Sequence, residues 1–271
     1  MLFDVPKELR LAALHWLAET DHVLKSAGVI ALAQAWKKDE IILETDAPLT
    51  TLRLIPGHPL LPELVSYLEV PRRSMHTEEG RAALIHALTH IEFNAINLAL
   101  DAIWRFPKMP REYYIDWLKV AAEEARHFSL LSAHLGTKGY AYGDFAAHNG
   151  LWEMVEKTTG DILARMALVP RTMEARGLDA SPPLRAKLAQ AGEIAAAKII
   201  DIILADEIGH VLIGNRWYNW VCETRGLEPV STYASLAEIY KAPTLRGPFN
   251  IEARRAAGFS EGELIALMAV K

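Results

Sequence analysis

Three segments of the sequence carry a glutamate followed three residues later by a histidine, a spacing that places both side chains on one face of an α-helix. They are Glu19/His22, Glu124/His127 and Glu207/His210. A carboxylate and an imidazole one helical turn apart can share one metal ion. The first pair falls at a break between two helical patterns, so we interpret it as a surface pair. The other two lie deep within long apolar helices and are candidate metal ligands.

Each of these two pairs has a single glutamate at nearly the same distance upstream. The interval from Glu92 to Glu124 equals the interval from Glu174 to Glu207 to within one position. An unpaired buried carboxylate is costly, so such a cluster needs a counter-charge. Four carboxylates balance two divalent cations when both histidines are neutral ligands. The repeat therefore predicts a centre of two metal ions, held by Glu92, Glu124, His127, Glu174, Glu207 and His210.

The ligand types indicate which metals such a centre would hold. Mixed carboxylate and imidazole ligands suit iron or manganese, whereas zinc usually binds fewer carboxylates. We expect two iron ions, with manganese or a mixed manganese and iron pair as the alternatives. Six protein ligands around two ions leave coordination positions for water, dioxygen or peroxide.

The elements that must position these ligands are visible as apolar periodicity. Helical patterns cover residues 6–37, and residues 39–65 then read as an extended, proline-interrupted segment with a short strand or two. A helix from about residue 79 ends at Phe106, where PKMP stops it. Pro110 suits the first turn of a second helix, which ends before Gly136.

A glycine-rich crossover, GTKGYAYGDFAAHNG, leads to the second half of the chain. We predict a third helix over residues 151–177 with a kink at Pro170, and a fourth from near Pro183 to about Arg225. The segment LDASPP separates them. Two shorter helices follow at 231–241 and 260–269. We expect the stretch RGPFNIEARRAAGF to cap the site.

These elements predict an all-α fold. We divide it into a helical N-terminal arm with the extended segment (1–75), a four-helix bundle (76–225) and a C-terminal helical extension (226–271). The extension is expected to pack as one domain with the bundle.

Composition excludes several classes of function. The net charge is −5 and the basic residues form no block, which disfavours generic nucleic-acid binding and an anionic membrane surface. No apolar run is long enough to span a membrane and the first residues do not resemble a secretion signal, so we expect a cytoplasmic protein. Cys222 is the only cysteine, which excludes an internal disulfide and cysteine-rich metal modules.

A bundle in which two helices each supply one glutamate and two others each supply Glu-x-x-His has the ligand set of carboxylate-bridged dinuclear metal proteins. The sequence resembles the ferritin-like di-iron and di-manganese superfamily. Its segments AALIHALTHIEFNAINLALD, EEARHFSLL, VPRTMEARGLD and DEIGHV resemble a bacterial ferritin-like family known mainly as a domain of unknown function, related in ligand pattern to tRNA hydroxylases. The resemblance spans roughly residues 55 to 265. It implies a ferritin-like four-helix bundle.

Two further acids are candidates for supporting the ligands. Metal-bound histidines usually donate their other N–H to a carboxylate, and Asp206 and Glu123 each directly precede a ligand glutamate. In related enzymes the acid at the position of Asp206 reaches the histidine of the opposite helix, which implies an Asp206–His127 pair. We pair Glu123 with His210 in the same way.

A reduced dinuclear centre can hydroxylate, desaturate or reduce peroxide, and its ligands alone do not decide. A radical-storing ribonucleotide reductase subunit would usually place a tyrosine one turn after the first histidine, where this chain has Leu131. A rubrerythrin would bring a cysteine-rich iron module, and a storage ferritin would lack the N-terminal arm. We therefore expect an O2-dependent hydroxylase, or monooxygenase, of a small organic substrate, acting near the kink at Pro170.

Such a hydroxylase needs an external electron donor, a ferredoxin or a reductase, because nothing in the sequence resembles a flavin or nicotinamide site. A manganese catalase-like enzyme that consumes peroxide is the first alternative, since it uses a similar ligand set without a reductase. A non-enzymatic, iron-sequestering or otherwise metal-binding ferritin-like protein is the second. A homodimer is also compatible with the sequence.

Overall fold

The computed structural model describes residues 5–269. Within that range the chain is helical, and its only β-structure is a pair of isolated bridges, Glu8 with Ile42 and Leu64 with Ala147. The all-α prediction is confirmed, whereas the short strands predicted within residues 39–65 are absent from this described part of the chain. The chain divides into two compact units, Met1–Gly150 and Leu151–Lys271. The predicted division into arm, bundle and extension stays a prediction.

The first unit is built around a long helical hairpin. Its helices are α1 (Leu9–Leu17), α2 (His22–Lys37), α3 (Glu78–Arg105) and α4 (Arg111–Thr137). The short connection between α3 and α4 makes these two helices antiparallel neighbours. Helix α1 packs against α3, and α2 packs against α4. The predicted bounds of α3 and α4 agree with the structure to within about two residues, the usual uncertainty at helix ends.

Local capping explains where these helices begin. The Asp21 carboxylate accepts hydrogen bonds from the backbone N–H groups of Val23 (2.8 Å) and Leu24 (2.9 Å). These bonds satisfy two donors that have no partner within the first turn of α2. Thr77 caps α3 by accepting from the Gly80 N–H at 3.0 Å. Pro110 stands directly before the first residue of α4, where its missing N–H costs nothing.

Two buried cations fasten the irregular segment between α2 and α3. Arg10 is fully buried, and its guanidinium donates to the carbonyl oxygens of Ala47 (2.7 Å) and Trp104 (2.8 Å). Lys25 is also fully buried and donates to the Gly57 carbonyl oxygen at 2.9 Å. A long loop over the surface is thereby held against α1, α2 and α3.

The second unit contains a second hairpin. Its helices are α5 (Gly150–Lys157), α6 (Ile162–Leu168), α7 (Ala175–Gln190), α8 (Ile194–Thr224), α9 (Pro229–Ile239), α10 (Ile251–Ala256) and α11 (Glu261–Ala269). Helix α6 runs into α7 through one widened turn, Val169–Glu174, which we call the π segment. Helices α6, α7 and the π segment pack against α8.

The widened turn confirms the expected distortion at Pro170. Proline has no N–H to give to the carbonyl four residues earlier, and π turns are one way in which a helix absorbs such a break. In this turn the hydroxyl of Thr172 donates to the carbonyl oxygen of Ala167, five residues earlier, at 2.8 Å.

The boundary predicted at LDASPP is wrong. This stretch lies inside α7, and the break falls instead at residues 191–193, where Gly192 has a φ of +82°. Pro182 leaves the Leu178 carbonyl without its helical N–H. The side chain of Asn250 donates to that carbonyl oxygen at 3.2 Å, so a tertiary hydrogen bond replaces the one that proline removes. The third helix is also divided at residues 158–161, where Asp161 caps α6.

The stretch RGPFNIEARRAAGF contains α10, a helix that was not predicted from the sequence. Its Arg254 is fully buried and forms an ion pair with Asp179 of α7 at 2.6 Å. The stretch is therefore well anchored within the second unit, while its expected role as a cap over the site stays a prediction. No helix of the described residues is both long and apolar enough to cross a membrane.

Candidate metal centre

A buried group of three acid and imidazole side chains lies in the hairpin of the first unit. Glu92 belongs to α3, and Glu124 and His127 stand one turn apart on α4. They are 6%, 1% and 0% exposed, respectively. The Nδ1 atom of His127 lies 3.3 Å from a carboxylate oxygen of Glu92 and 3.3 Å from one of Glu124. The antiparallel hairpin therefore brings together three of the six predicted ligands.

These distances fit a transition-metal ion. One potential ligand atom from each of the three residues lies within 4.8 Å of the other two. Two ligands bound at about 2.1 Å and at a right angle are about 3.0 Å apart, close to the observed nitrogen–oxygen separations. Carboxylate oxygens with an imidazole nitrogen form a donor set suited to iron or manganese. The residues present thus fit the metal that the sequence predicts.

The pKa shifts of these residues show that the group carries excess negative charge when no cation is bound. Burial, reinforced by the neighbouring Glu124 carboxylate, raises the pKa of Glu92 to about 8. Burial alone would lower the pKa of His127, but its hydrogen bonds and charge interactions with Glu124 and Glu92 outweigh burial and raise it. Both shifts have the same meaning, because the group takes up protons to offset excess negative charge. A divalent cation would serve in place of those protons.

The second unit repeats part of this geometry. The Nδ1 atom of His210 lies 3.4 Å from a carboxylate oxygen of Glu207, one turn earlier on α8. His210 is 1% exposed. In both Glu-x-x-His pairs the same imidazole nitrogen faces the glutamate, so Nδ1 is the candidate ligand atom in each.

Glu174 occupies the junction between the π segment and α7 and is half-buried. One turn further on, Gly177 lies against Glu207, since a Cβ placed on Gly177 would be 3.6 Å from the Glu207 carboxylate. The described residues do not bring a Glu174 oxygen into a group of three ligand atoms within 4.8 Å of one another. Its role as a ligand stays a prediction.

The remaining candidates are partly buried. Glu19 and His22, interpreted as a surface pair, are both half-buried, and the His22 ring contacts Phe128 edge to face at 5.8 Å between centroids. Glu123 and Asp206 are half-buried as well, and a carboxylate oxygen of Glu123 lies 3.9 Å from the Lys119 Nζ. The pairings Asp206–His127 and Glu123–His210 stay predictions.

Comparison with known proteins assigns the chain to a family. Residues 18–265 match the family described as Protein of unknown function (DUF455). The chain belongs to this family. It is also 52% identical, over 217 residues, to an "Uncharacterized protein" of Haemophilus influenzae, and the match covers 78% of this chain and 75% of the relative. No solved structure matches the chain.

The DUF455 protein has a second polar group in its first unit, which sequence reasoning missed. His90 hydrogen-bonds through Nδ1 with the Tyr142 hydroxyl at 2.9 Å, and Asn94 contacts the other ring nitrogen at 3.0 Å. The Tyr142 ring packs against Phe93 and Phe128, which directly follow ligand candidates in the sequence. The spacing of His86, His90 and Asn94 along one helix face is the signal that could have indicated this group.

Proposed function

We propose that this DUF455 chain is a dinuclear non-haem metal oxidoreductase. Its proposed reaction is the O2-dependent hydroxylation of a small organic substrate. The observation that carries the proposal is the buried group formed by Glu92, Glu124 and His127. Its two carboxylates are 6% and 1% exposed and face one imidazole. Two buried carboxylates in an apolar hairpin are costly without a counter-charge, and a bound cation would supply it. A ferritin-like four-helix bundle is the fold that we propose to hold it.

The proposal that both hairpins serve one centre rests on the repeat along the sequence. The spacing from Glu174 to Glu207 matches that from Glu92 to Glu124 to within one position. The Glu-x-x-His pairs on α4 and α8 also share their internal geometry, with Nδ1 at 3.3 Å and 3.4 Å from the preceding glutamate. Six ligands from two equivalent hairpins suit two ions, iron by preference and manganese or a mixed pair as alternatives.

In this proposal the chain's own residues fix the metals and set their charge. Four carboxylates offset two divalent ions, so the buried site is neutral with both histidines neutral. Binding through Nδ1 leaves Nε2 of each histidine to donate to an acid, the role proposed for Asp206 and Glu123. A pair of ferrous ions in such a ligand set supplies two electrons for the activation of dioxygen. Further electrons would come from a ferredoxin or a reductase.

Metal content tests the first part of the proposal. The full chain, purified without added metal, is analysed for iron, manganese and zinc before and after anaerobic loading with Fe(II). We expect two ions per chain, with loss of at least one in His127→Ala and in His210→Ala. His76→Ala changes an exposed histidine and is the control, expected to keep both ions. A wild-type chain that takes up no stoichiometric transition metal overturns the proposal.

The reaction is tested with isotopically labelled oxygen. The iron-loaded protein, a ferredoxin with its reductase, and a metabolite extract are incubated under 18O2, and products are searched by mass spectrometry. We expect one labelled oxygen atom in an organic product, absent with His127→Ala. Rapid gas evolution from peroxide without reductant would instead indicate a catalase-like enzyme. Many irons per chain in a large shell would indicate iron storage.

A further inference from the structure

A cavity of about 390 Å³ lies within the second unit, between α9, α11 and the segment that joins α9 to α10. Its walls are mostly small or apolar, with Val230, Ala234 and Ala237 on α9 and Ala266 and Leu267 on α11. Val230, Ala234 and Ala237 share one face of α9. Ala266 and Leu267 lie three and four residues after Glu263, which also lines the cavity, so these three share one face of α11. A volume of this size lies within the range of small-molecule sites.

The floor of this cavity is charged, unlike its walls. Arg171 and Arg254 both line it and are 3% and 0% exposed. The ring of Phe259 lies beside both guanidinium groups, with its centroid 4.9 Å from the Arg171 Cζ and 5.3 Å from the Arg254 Cζ. Two guanidinium groups beside one aromatic ring place positive charge at the base of an apolar space.

Neither arginine uses all of its donors. Arg171 donates from Nη1 to the Asn215 side chain at 2.9 Å and from Nη2 to Glu263, whereas its Nε has no partner among the described residues. Arg254 donates from Nε and Nη2 to Asp179, and its Nη1 has no partner in the same described range. Both atoms are enclosed by protein, so an external acceptor can reach them only where a neighbouring side chain gives way.

Glu263 indicates what kind of acceptor fits. Its carboxylate lines the cavity and pairs with Arg171, so the floor already receives one carboxylate from the chain itself. It comes from α11, a short helix in which Leu264 is the one buried residue of the described range. One oxygen of this carboxylate faces Arg171, and the other accepts hydrogen bonds from the Ser260 N–H (2.7 Å) and hydroxyl (2.9 Å), so a ligand carboxylate would replace Glu263 at Arg171 only.

We propose that this cavity binds a small carboxylic acid with an apolar body. The carboxylate would take the place of Glu263 on the Arg171 guanidinium, beside Arg254, and the apolar body would lie between α9 and α11. A more highly charged group such as a phosphate monoester would carry more negative charge than the two arginines can offset beside Asp179.

The proposed carboxylate binding does not depend on the proposed metal centre. Arg171 belongs to the π segment and precedes Glu174 by three positions, so a ligand here would contact the turn that carries a proposed metal ligand. Binding itself requires no metal. The two proposals can therefore fail separately, because binding is measured on protein without metal.

The experiment is a calorimetric titration of the full chain, in chelator, with octanoate and with octan-1-ol. We expect octanoate to bind one molecule per chain and at least about tenfold more tightly than octan-1-ol, because the charged head adds charge-assisted hydrogen bonds. Glu263→Gln should tighten octanoate binding by about tenfold and leave octan-1-ol unchanged, since it removes the competing carboxylate.

A cavity-filling variant locates the site. Ala237→Phe places a large side chain in the cavity and should abolish octanoate binding, and Ala266→Phe does the same from the facing helix. Ala180→Phe changes an exposed alanine of α7 outside the cavity and should bind as wild type does. The proposal is overturned if octanoate does not bind, if alcohol and acid bind equally, if Glu263→Gln weakens octanoate binding, or if folded cavity variants still bind.

Discussion

Pro170 of the π segment lies directly against Gly214 of α8. A Cβ atom placed on Gly214 would come within 2.5 Å of the Pro170 Cβ, so only glycine allows this approach. Gly214→Ala forces the π segment and α8 apart. We expect it to lower the free energy of unfolding by about 1 to 3 kcal/mol, as other overpacked sites do. Urea unfolding measures this, and metal content tests whether Glu174 also moves.

Gly262→Ala is the matched control for this prediction. Gly262 lies in α11 of the same unit, and a Cβ there would meet no atom of the described residues within 4 Å. Alanine is favoured over glycine in a helix, so this variant should gain up to about 1 kcal/mol. Equal stability of Gly214→Ala and wild type would show that the close packing has no energetic consequence.

The long helices could be predicted from the sequence because their apolar periodicity is strong. The bounds of α3 and α4 follow from it closely, and the distortion at Pro170 follows from proline chemistry. The boundary at LDASPP failed because Asn250, 72 residues from Leu178, supplies the hydrogen bond that makes proline tolerable inside α7. Local sequence does not contain that partner. Gly192 marked the true helix end, and its signal was overlooked.

The candidate site was partly visible for a different reason. Glu92, Glu124 and His127 were found because ligands one turn apart have a fixed spacing on a helix. The buried arginines were missed, because long charged side chains usually lie on the surface and only tertiary contacts bury them. Arg171 and Arg254 carry no local signal that separates them from exposed arginines.

The metal-free protein should be stabilised by Glu92→Gln. Burial and the Glu124 carboxylate raise the pKa of Glu92 from 4.5 to about 8, so the folded state holds a proton that the unfolded state has lost between these pH values. Wild-type stability therefore falls as the pH rises from 4.5 to 8. The neutral amide removes this cost, and we expect a gain of at least about 1 kcal/mol near pH 8 in chelator.

With bound metal we expect the opposite ranking, in which wild type is more stable than Glu92→Gln. Fe(II) or Mn(II) should raise the melting temperature of wild type and not that of Glu92→Gln, because a ligand is lost. Glu223→Gln, at an exposed position of α8, is the control and should match wild type in both conditions. A variant that is less stable than wild type in chelator would contradict the electrostatic account of the site.

His86 should make the first unit sensitive to acid. Its Nε2 accepts a hydrogen bond from the Gly143 N–H at 2.9 Å, which requires an unprotonated nitrogen. Burial lowers the pKa of His86 from 6.5 to about 4, against a smaller opposing effect of Asp144. Between these pH values the unfolded chain therefore binds a proton that the folded chain does not. The free energy of unfolding should therefore decrease as the pH is lowered through this range, by up to about 1.4 kcal/mol per pH unit.

His86→Gln keeps an acceptor for Gly143 and cannot titrate. Urea unfolding at several pH values from about 4.5 to 6.5 should give a shallower dependence for this variant than for wild type. His76→Gln replaces an exposed histidine and should retain the wild-type dependence. Identical slopes for all three proteins would exclude His86 as a source of acid sensitivity.

Two opposing effects determine what Lys25 contributes to stability: the cost of burying its charge and the gain from its hydrogen bonds. It is fully buried without a carboxylate hydrogen-bond partner among the described residues, and burial lowers its pKa to about 7. Its Nζ donates to the carbonyl oxygens of Leu17 (3.3 Å) and Gly57 (2.9 Å) and to the Asn97 side-chain oxygen (2.6 Å). Lys25→Met removes the cost of burying the charge but leaves the Gly57 and Asn97 oxygens without this donor, each at about 1 to 3 kcal/mol. The Leu17 carbonyl keeps its hydrogen bond from the Gly57 N–H at 2.8 Å.

The unpaired acceptors should outweigh the relieved charge, so we expect Lys25→Met to lose about 3 kcal/mol at neutral pH. The lowered pKa adds a second signature. Between pH 7 and 10.5 the unfolded chain binds the proton that folded Lys25 has released, so wild-type stability rises with the pH, and the variant should lose that rise. Lys37→Met changes an exposed position of α2 and is the control. Its stability should stay within about 0.5 kcal/mol of wild type. A gain in stability in Lys25→Met would mean that desolvation of the ammonium, not its three hydrogen bonds, dominates at this position.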